Sequence, residues 1–558
     1  MVSGQPQSSH GDSRAVSRQE APSAPARAGL AGLPLPLIQA VTCGLIARLL
    51  TAWLGPGFHA RDDYFHVLAP ALAWIDDPTF RWEESALPGA GLRSHLFPRL
   101  IQGGIALCQT LGVTDPEHVL SMLHAGLGLY SALLIPAMWL LCRNLGCHQQ
   151  TTNLATWLAA LHFAMPYVGT RLLIESMAMP PLLVGLAFCA KQSTRGLLVG
   201  GFWIGLSTWF RYQVGIAALG LAVGLFWFHT RRSGLKDGVS SLVPLAIGGA
   251  GALILQGSFD LATTGEFLGP VIHNIRFNLN PPGTMSHSHP LSYLGFWLAL
   301  TLPPATLVVL PAMGLTAKRL WLVSWPLLTF VGIHSLIGHK EERFMIPMLP
   351  LFLVLLAAVP QEVANTSGKL GTWLTRWWPA SRTYLLVTHT LALCVIITSQ
   401  SQENLRHTMR ELRMDEELSH LVSVGPEIQD YFLDTKRPLH THETRHFDAL
   451  WIRKTLDTIT PSSPHQIHFI AFAPDRAKMQ IILMAEGLRC SMPQTFEGWW
   501  LDRLAQRLNP KHNRRRSPVD LWRCRVPAVA HAPQSSPRRV ALVSKSRPNL
   551  SATESARR

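Results

Sequence analysis

Long apolar runs separated by short polar segments occupy the chain from residue 33 to about residue 400. A helix needs about 20 mostly apolar residues to cross the hydrocarbon core of a bilayer. The pattern therefore predicts an all-α polytopic membrane protein with eleven crossings, at 33–54, 118–141, 151–168, 173–190, 196–210, 213–229, 240–259, 291–316, 320–337, 344–360 and 383–400.

Basic residues orient these predicted spans. Arg14, Arg18 and Arg27 precede the first run and place the N-terminus on the inside, and with eleven crossings every inside loop then carries Lys or Arg. The outside loops are 55–117, 169–172, the turn near Arg211, 260–290 and 338–343, followed by the C-terminal region. The apolar segment 100–111 is only about 12 residues long, so we interpret it as re-entrant or interfacial, or as part of an irregular span.

Polar regions flank the membrane domain, which we predict at 29–400. Residues 1–28 are rich in Ser, Pro, Gln and Arg and are predicted to be disordered, as is the basic tail 531–558. Residues 401–530 are predicted to form a small α/β extracytoplasmic domain, with 468–473 as a strand and 479–484 as a helix or second strand. Cys490 and Cys524 lie in this region and can pair if it faces an oxidising compartment.

Charge supports the same class of protein. Only 15% of residues are charged, against about a quarter in soluble proteins. The net charge of +15 resides largely in inside loops and the basic tail, which is typical of membrane topology rather than of nucleic-acid binding.

Residues 339–344 read His-Lys-Glu-Glu-Arg-Phe and place four formal charges between two apolar runs. Each charge would cost about 2.5–3.5 kcal/mol at the bilayer centre, so the cluster must lie at the membrane surface or in a polar cavity. His339, Lys340 and Arg343 can bind phosphate, and Glu341 and Glu342 can orient these cations. The alternative is a loop whose charges pair internally for little net gain.

The first outside loop contains further candidates. Asp62 and Asp63 can provide a general base, or can simply cap a helix at the start of the loop. Arg93 with Ser94 suits phosphate binding, although interfacial anchoring explains Arg equally well. Glu83 lies in the same loop, beside Trp and a second Glu.

Two arginines adjoin later outside turns. Arg171 and Glu175 are four residues apart and would share a helix face, and Arg211 interrupts two apolar runs. Either arginine can contact an anionic lipid-linked donor or extend to the interface as a structural residue.

The loop 260–290 and the residues that follow it mix amide, hydroxyl and imidazole groups suited to sugar hydroxyls. It includes Asp260, Asn278 and His289, with Tyr293 just beyond. The alternating His287 and His289 have weak spacing for a metal site, so no metal is predicted there.

Taken in order, these motifs resemble glycosyltransferase family 22. The strongest match is residues 339–344 followed by Pro347 and Pro350; Trp82-Glu83 with the spaced Gly91, Arg93, Ser94 and Pro98 supports it, as do Asp260, Asn278, His289-Pro290 and Tyr293. Two departures stand out: Ala60-Arg61 occupies the family's His-Pro position, and Asp63 occupies the position of a Glu.

The resemblance implies a GT-C fold and an inverting transfer of mannose from a polyprenyl-phosphate donor to a glycan or glycolipid acceptor. It implies Asp62 as the catalytic base, with Asp63 as the second candidate. Nothing in the sequence requires a cofactor, although a divalent metal is compatible with it. The resemblance also implies donor-phosphate contacts from Arg93, Arg211, His339, Lys340 and Arg343, and substrate contacts from Glu83, Ser94, His289, Tyr293, Glu341 and Glu342.

Two other functions are consistent with the pattern. One is a GT-C enzyme that uses another polyprenyl-phosphate sugar to modify cell-envelope glycans, and the other is a transporter of lipid-linked sugars. A transporter should place its polar groups near the midplane, whereas here they gather on one face, which favours an enzyme. The compact loops favour a bacterial inner membrane, with the endoplasmic reticulum as the alternative. The sequence leaves the acceptor and the linkage open.

Overall fold

The computed structural model describes residues 28–29, 33–85, 89–280, 288–433, 439–459, 466–510 and 513–525. Their contacts divide the chain into two compact units. The first contains the described residues up to Arg413 and the segments Gln429–Asp434 and Glu497–Pro518; the second contains Met414–Ile428, Thr435–Phe496 and the described residues from Val519 onward. Of the residues predicted to be disordered, 1–28 and 531–558, all except Ala28 lie outside the described ranges, and Ala28 belongs to a short strand.

The first unit is helical apart from a short antiparallel pair, β1 (Ala28–Gly29) and β2 (Leu33–Pro34). Its 3₁₀ turns are Trp82–Glu84, Glu342–Met348 and Arg514–Arg516, and a π-helical turn covers Tyr64–Leu68. Its α-helices are Leu35–Leu54, Arg61–Asp63, Ala69–Asp76, Leu96–Thr110, Pro116–Ala132, Leu134–Asn144, Gln149–Leu161, Ala164–Thr170, Ile174–Cys189, Thr194–Phe210, Val214–Ser233, Leu235–Thr264, Gly269–Leu279, Ser292–Leu300, Thr306–Arg319, Trp321–Leu336, Leu349–Asn365, Gly368–Ile397, Glu403–Met414, Asp430–Leu433 and Trp500–Leu508.

Within the described ranges, six helices are long and apolar enough to cross a membrane, and up to eight if each of two bent pairs forms one span. The six are Leu35–Leu54, Pro116–Asn144, Val214–Ser233, Leu235–Thr264, Glu342–Asn365 and Gly368–Ile397. The bent pairs are Ala164–Thr170 with Ile174–Cys189, at 112°, and Thr306–Arg319 with Trp321–Leu336, at 118°.

This count is lower than the eleven predicted crossings because several apolar runs fold as short or interrupted helices. The predicted span 151–168 breaks at His162, and the span 291–316 breaks at Pro303-Pro304, where proline cannot continue a helix. The span 196–210 forms a 17-residue helix, just below the usual length. Residues 100–111 belong to the 15-residue helix Leu96–Thr110, which lies outside these candidate spans.

The apolar side chains of the candidate spans are distributed as expected for a protein in lipid. The Glu342–Asn365 helix is largely buried, and Leu351, Leu353 and Val354 along it are fully buried. By contrast, Leu386 and Leu391 of Gly368–Ile397 are 70% and 61% exposed. An apolar surface of this size on a long helix would be unfavourable in water and is stable against lipid tails.

The second unit is built on a six-stranded mixed sheet. Its strands are β3 (His420–Val424), β4 (His440–Thr444), β5 (Ile467–Phe472), β6 (Arg489–Cys490), β7 (Gln494–Phe496) and β8 (Val519–Arg525). The order is β4-β3-β5-β8-β6, with β7 also paired to β8; β4, β3 and β5 are parallel, and β8 is antiparallel to its neighbours. The helices Ala449–Ile459 and Arg476–Ala485 and the 3₁₀ turn Ala473–Asp475 also belong to this unit.

The core of the second unit explains its strand pattern. All six residues of β5 are buried, as are Val422 and Val424 of β3, and they pack with Ile452 and Leu456 of a flanking helix. Burial on both faces is typical of central parallel strands covered by helices. The strand predicted at 468–473 is therefore observed at Ile467–Phe472, and residues 479–484 lie in a helix.

Cysteine pairing follows from the same sheet. Cys490 of β6 lies opposite Cys524 of β8, and the two form a disulfide.

Candidate active site

The predicted acidic pair lies in an irregular helical segment just beyond the first apolar helix. The one-turn helix Arg61–Asp63 continues into the π-helical turn Tyr64–Leu68 and then into Ala69–Asp76. Single π turns inside helices are frequent at functional sites. This geometry brings His66 back towards Asp62, so that His66 Nδ1 lies 3.1 Å from Asp62 Oδ2.

The two adjacent carboxylates have different surroundings. Asp62 is 21% exposed and accepts a hydrogen bond of 2.7 Å from Arg343 Nη2. Asp63 is 1% exposed and accepts hydrogen bonds from the backbone N–H groups of His59 and Ala60, at 2.8 and 3.4 Å. Asp62 thus faces a charged site, whereas Asp63 stabilises the start of its own helix.

These surroundings separate the pKa values of the two groups. Burial acts to raise the pKa of Asp62, but the Arg343 charge and the contact with His66 outweigh it and hold that pKa well below its ordinary value. Burial raises the pKa of Asp63 to about 7, although Arg343 and the two backbone N–H groups act in the opposite direction. At neutral pH Asp62 is therefore ionised, and Asp63 is partly protonated.

The cluster 339–344 meets the first loop through Arg343. The chain turns after Ile337, and the 3₁₀ turn Glu342–Met348 directs Arg343 inward, where it is 6% exposed. Arg343 Nε donates to Glu341 Oε2 at 2.5 Å, and Glu341 Oε1 lies 3.0 Å from His339 Nε2. Burial opposes ionisation of Glu341, but His339 and Arg343 outweigh it and lower its pKa to about 2. Four predicted residues thus form one chain of contacts, from His339 through Glu341 and Arg343 to Asp62.

Arg211 adjoins this chain and corrects one predicted pair. It is 1% exposed, pairs with Glu175 at 3.3 Å and lies over the Phe344 ring at 4.6 Å from its centroid. The expectation that Arg171 and Glu175 share one helix face is wrong, because the helix breaks between residues 170 and 174. Arg171 instead donates to the carbonyls of Gly57 and Ser399, each at 3.1 Å.

Arg93 occupies a separate small pocket. Within the described ranges, it makes no ion pair, and it lines the pocket with His66, Trp209 and Tyr212. Its charge lowers the pKa of Asp62, which places the guanidinium within electrostatic reach of that carboxylate. Among the described residues, Arg93 and Lys340 are thus the two predicted phosphate-binding cations with no carboxylate partner, and Lys340 instead donates to backbone carbonyls.

Two neighbours of Arg93 are engaged with protein groups. The Ser94 hydroxyl donates to Asp260 Oδ1 at 3.1 Å and accepts from the Trp209 indole at 3.0 Å. Glu83 Oε1 lies 2.6 Å from Nε2 of the buried His95. The substrate contacts predicted for Ser94 and Glu83 stay predictions.

A polar pocket of about 210 Å³ lies beside the 339–344 cluster. Lys340 Nζ donates to the carbonyl of Ser288 at 3.2 Å and to that of Ile337. The exposed His289 accepts from the backbone of Leu291 within its own loop. The residues lining the pocket are Ser288, Ser292, Tyr293, Lys340, Glu341, Glu342 and Asn509.

The sequence reasoning assigned no role to three residues of this region. His66 follows Asp62 by four residues, so helical spacing alone was a usable signal. Asp260 was included in the 260–290 loop and in the family resemblance without a role of its own, although it lies near the end of a long apolar helix. Asn509 had no local signal, because it reaches the pocket from a segment more than 150 residues downstream of Lys340 in the chain. The described residues contain no group of three or more His, Cys, Asp or Glu that could hold a metal ion.

The structure compares with solved membrane enzymes of the GT-C class. ArnT from Cupriavidus metallidurans, bound to undecaprenyl phosphate, matches with a TM-score of 0.56 over 89% of this chain and 99% of that chain, at 12% identity. Its apo form matches with a TM-score of 0.55 over 87% and 97%, at 10% identity. At this identity the likeness concerns the fold, which is of the GT-C type and embedded in the membrane.

Sequence comparison then identifies the family. Residues 39–430 match the Alg9-like mannosyltransferase family, and the chain belongs to that family. GPI mannosyltransferase 3 from Yarrowia lipolytica (strain CLIB 122 / E 150) is 26% identical over 356 residues, which cover 61% of this chain and 64% of the relative. The match thus spans slightly less than two thirds of that relative. The resemblance to glycosyltransferase family 22 is confirmed.

Proposed function

We propose that this protein transfers mannose from a polyprenyl-phosphate donor to a hydroxyl of a lipid-linked or glycan acceptor, with inversion at the anomeric carbon. Family membership supports the sugar, and the fold shared with a protein that binds undecaprenyl phosphate supports the donor lipid. The observation that carries the proposal is the partly exposed, ionised Asp62, held by Arg343 and His66 near Arg93, which makes no ion pair within the part of the chain that the structure describes.

Asp62 acts as the general base. Its carboxylate accepts the proton of the acceptor hydroxyl while that oxygen attacks the anomeric carbon from the face opposite the phosphate. The bond between the anomeric carbon and the phosphate oxygen breaks, and its electron pair leaves with polyprenyl phosphate. Because Asp62 is ionised at neutral pH, the base is present in the required form, and Arg343 and His66 fix its orientation.

The leaving phosphate is stabilised by fixed positive charge. Arg93 is the direct phosphate ligand, since it makes no ion pair among the described residues and lines a pocket with His66, the partner of Asp62. Arg211, His339, Lys340 and Arg343 contribute positive potential around the approach to that pocket. Preorganised cations aimed at developing charge are usually the largest single contribution to such catalysis.

The polyprenyl chain occupies an apolar groove of about 550 Å³ between the helices Thr194–Phe210, Val214–Ser233 and Leu235–Thr264. Tyr212 lines both this groove and the Arg93 pocket, so a phosphate beside Arg93 and a tail in the groove are compatible with one molecule. Many of the lining residues are small, including Gly201, Gly205, Gly215, Ala218, Ala222, Ala246, Gly249 and Ala250.

The acceptor glycan binds in the polar pocket beside residues 339–344. The hydroxyls of Ser292 and Tyr293, the Asn509 amide and the carboxylates of Glu341 and Glu342 line it, and such groups suit sugar hydroxyls. The name of the yeast relative makes a GPI glycolipid intermediate the first acceptor to test.

We place the site on the extracytoplasmic or lumenal face of a membrane domain with eleven crossings. The disulfide between Cys490 and Cys524 supports an oxidising compartment for the second unit. The bacterial inner membrane and the endoplasmic reticulum both satisfy this condition; the compact loops favour the former, and the yeast relative favours a eukaryotic setting.

The decisive experiment compares Asp62→Asn with Asp76→Asn, a matched loss of one carboxylate at an exposed position of the same loop. With purified protein, polyprenyl-phosphate mannose and the glycolipid acceptor, Asp62→Asn should lower kcat by about 10²- to 10⁴-fold, the range of general-base catalysis. Asp76→Asn should retain the wild-type rate. Equal activity of Asp62→Asn and wild type would exclude Asp62 as the base, and absence of transfer by wild type with any mannose donor would overturn the function.

A further inference from the structure

Both chain neighbours of Arg93 are held by helices distant in sequence. On one side, Asp260 accepts a hydrogen bond from the Ser94 hydroxyl at 3.1 Å. On the other side, Asn274 Nδ2 donates to the carbonyl of Leu92 at 3.3 Å. Asp260 is fully buried and Asn274 is 6% exposed, so water does not compete freely for either bond.

The hydrogen bond from Ser94 to Asp260 belongs to a chain of hydrogen bonds with a defined order of donors. The Trp209 indole donates to Ser94 Oγ at 3.0 Å, and the Ser94 hydroxyl proton is thereby left to bind Asp260. Trp209 belongs to the Thr194–Phe210 helix and Asp260 to the Leu235–Thr264 helix. The position of residue 94 is therefore fixed by two helices that line the proposed lipid groove.

The cost of burying Asp260 indicates a role for it. Asp260 is fully buried near the end of the Leu235–Thr264 helix, and a carboxylate removed from water is unfavourable unless it is paired or hydrogen-bonded. Gly91 adds a backbone constraint on the same loop, because its φ of +69° lies in the left-handed region that favours glycine. A turn at Gly91 and bonds at residues 92 and 94 leave the Arg93 backbone little freedom.

We propose that Asp260 and Asn274 are positioning residues that hold the Arg93 guanidinium where it binds the donor phosphate. This inference rests on the proposed function. Neither residue touches the substrate; both act through Arg93, and Ser94 serves as the link to Asp260 rather than as a phosphate ligand. The side chain of Arg93 is long and flexible. A fixed backbone therefore reduces the conformational entropy that Arg93 loses when it binds a phosphate.

The test is a double-mutant cycle between Asp260→Leu and Arg93→Ala. Asp260→Leu alone should reduce kcat/KM for the polyprenyl-phosphate donor by about 100-fold, the cost of a small misplacement of a catalytic contact. In the Arg93→Ala background the same change should reduce it by less than about threefold, because the group it positions is already gone. An equal loss in both backgrounds would show a general structural role and overturn the inference.

Conservative and control variants complete the cycle. Asp260→Asn keeps an oxygen that accepts from Ser94 and should retain most of the activity, whereas Ser94→Ala should behave like Asp260→Leu. Asn274→Ala should lower kcat/KM for the donor by less than Asp260→Leu does. This loss should also be absent in the Arg93→Ala background. Ser258→Ala removes an exposed hydroxyl from the same helix and should match wild type.

A binding measurement separates this inference from the proposed reaction. The protein in nanodiscs is titrated with undecaprenyl phosphate and, in parallel, with neutral undecaprenol. Asp260→Leu and Arg93→Ala should each weaken phosphate-lipid binding by about tenfold and leave undecaprenol binding unchanged. This result would support the positioning role even if wild type transferred no mannose; unchanged phosphate-lipid binding in the folded Asp260→Leu variant would overturn it.

Discussion

Two neighbouring aspartates show how far the surroundings decide the chemistry of a side chain. Asp62 and Asp63 have the same side chain, but Asp62 is partly exposed beside Arg343, whereas Asp63 is buried against backbone N–H groups. The result is an ionised group in the site and a neighbour whose pKa is raised to about 7. Pairs of acids with separated pKa values are a common basis for assigning different roles.

The raised pKa of Asp63 makes the stability of the protein depend on pH. Burial raises that pKa from its ordinary 3.8 to about 7, so between these values the folded protein keeps a proton that the unfolded chain releases. Stability contributed by this group should therefore fall as pH rises through this window, by about 2–4 kcal/mol, and level off above about pH 7.

Asp63→Asn removes the titration while keeping an oxygen for the two backbone bonds. The melting temperature of this variant relative to wild type should rise between about pH 4.5 and about pH 7.5, as measured by thermal unfolding in detergent. If the melting temperatures of wild type and Asp63→Asn changed in parallel with pH, the raised pKa of Asp63 would be contradicted.

At the scale of elements, the break after Thr170 is stabilised by a buried arginine. Arg171 donates to the carbonyls of Gly57 and Ser399, which follow the helices Leu35–Leu54 and Gly368–Ile397, and it stacks over the Tyr167 ring at 4.2 Å. One guanidinium thus joins three segments that are far apart in sequence. Its planar fork of donors suits two carbonyls better than the single ammonium of lysine does.

Arg171→Met should destabilise the folded protein by about 2–4 kcal/mol, because two buried carbonyls lose their donors. Thermal unfolding in detergent measures this loss, and Arg171→Lys should recover only part of it. Arg195→Met, at an exposed position near a helix start, is the matched control and should change stability little. Equal melting temperatures for the Arg171→Met and Arg195→Met variants would show that the hydrogen bonds of Arg171 do not stabilise the helix break.

At the scale of the whole molecule, an apolar helical unit and an α/β sheet unit occur in one chain. Long exposed apolar helices indicate a lipid environment for the first unit, and the disulfide of the second unit supports the proposed oxidising compartment.

The disulfide provides a test of membrane sidedness. Cys490 and Cys524 should resist a membrane-permeant thiol reagent in intact cells until a reductant is added, as measured by the mass shift of the labelled protein. The same protein, first reduced and unfolded in detergent so that every cysteine is accessible, serves as the labelling control. Labelling of Cys490 or Cys524 before reduction would place the second unit in a reducing compartment and contradict the proposed topology.

The sequence alone determined the membrane class, the family and the residue types of the site. Apolar length is a local property, and the charges of residues 339–344 are anomalous wherever the chain folds, so both are readable without a structure. The contact between Asp62 and Arg343, the Glu175–Arg211 pair and the link from Asp260 to Ser94 were decided only by the tertiary structure. Each contact joins residues separated by tens to hundreds of positions, and hydropathy along the chain is a local quantity that does not report which distant side chains pack together.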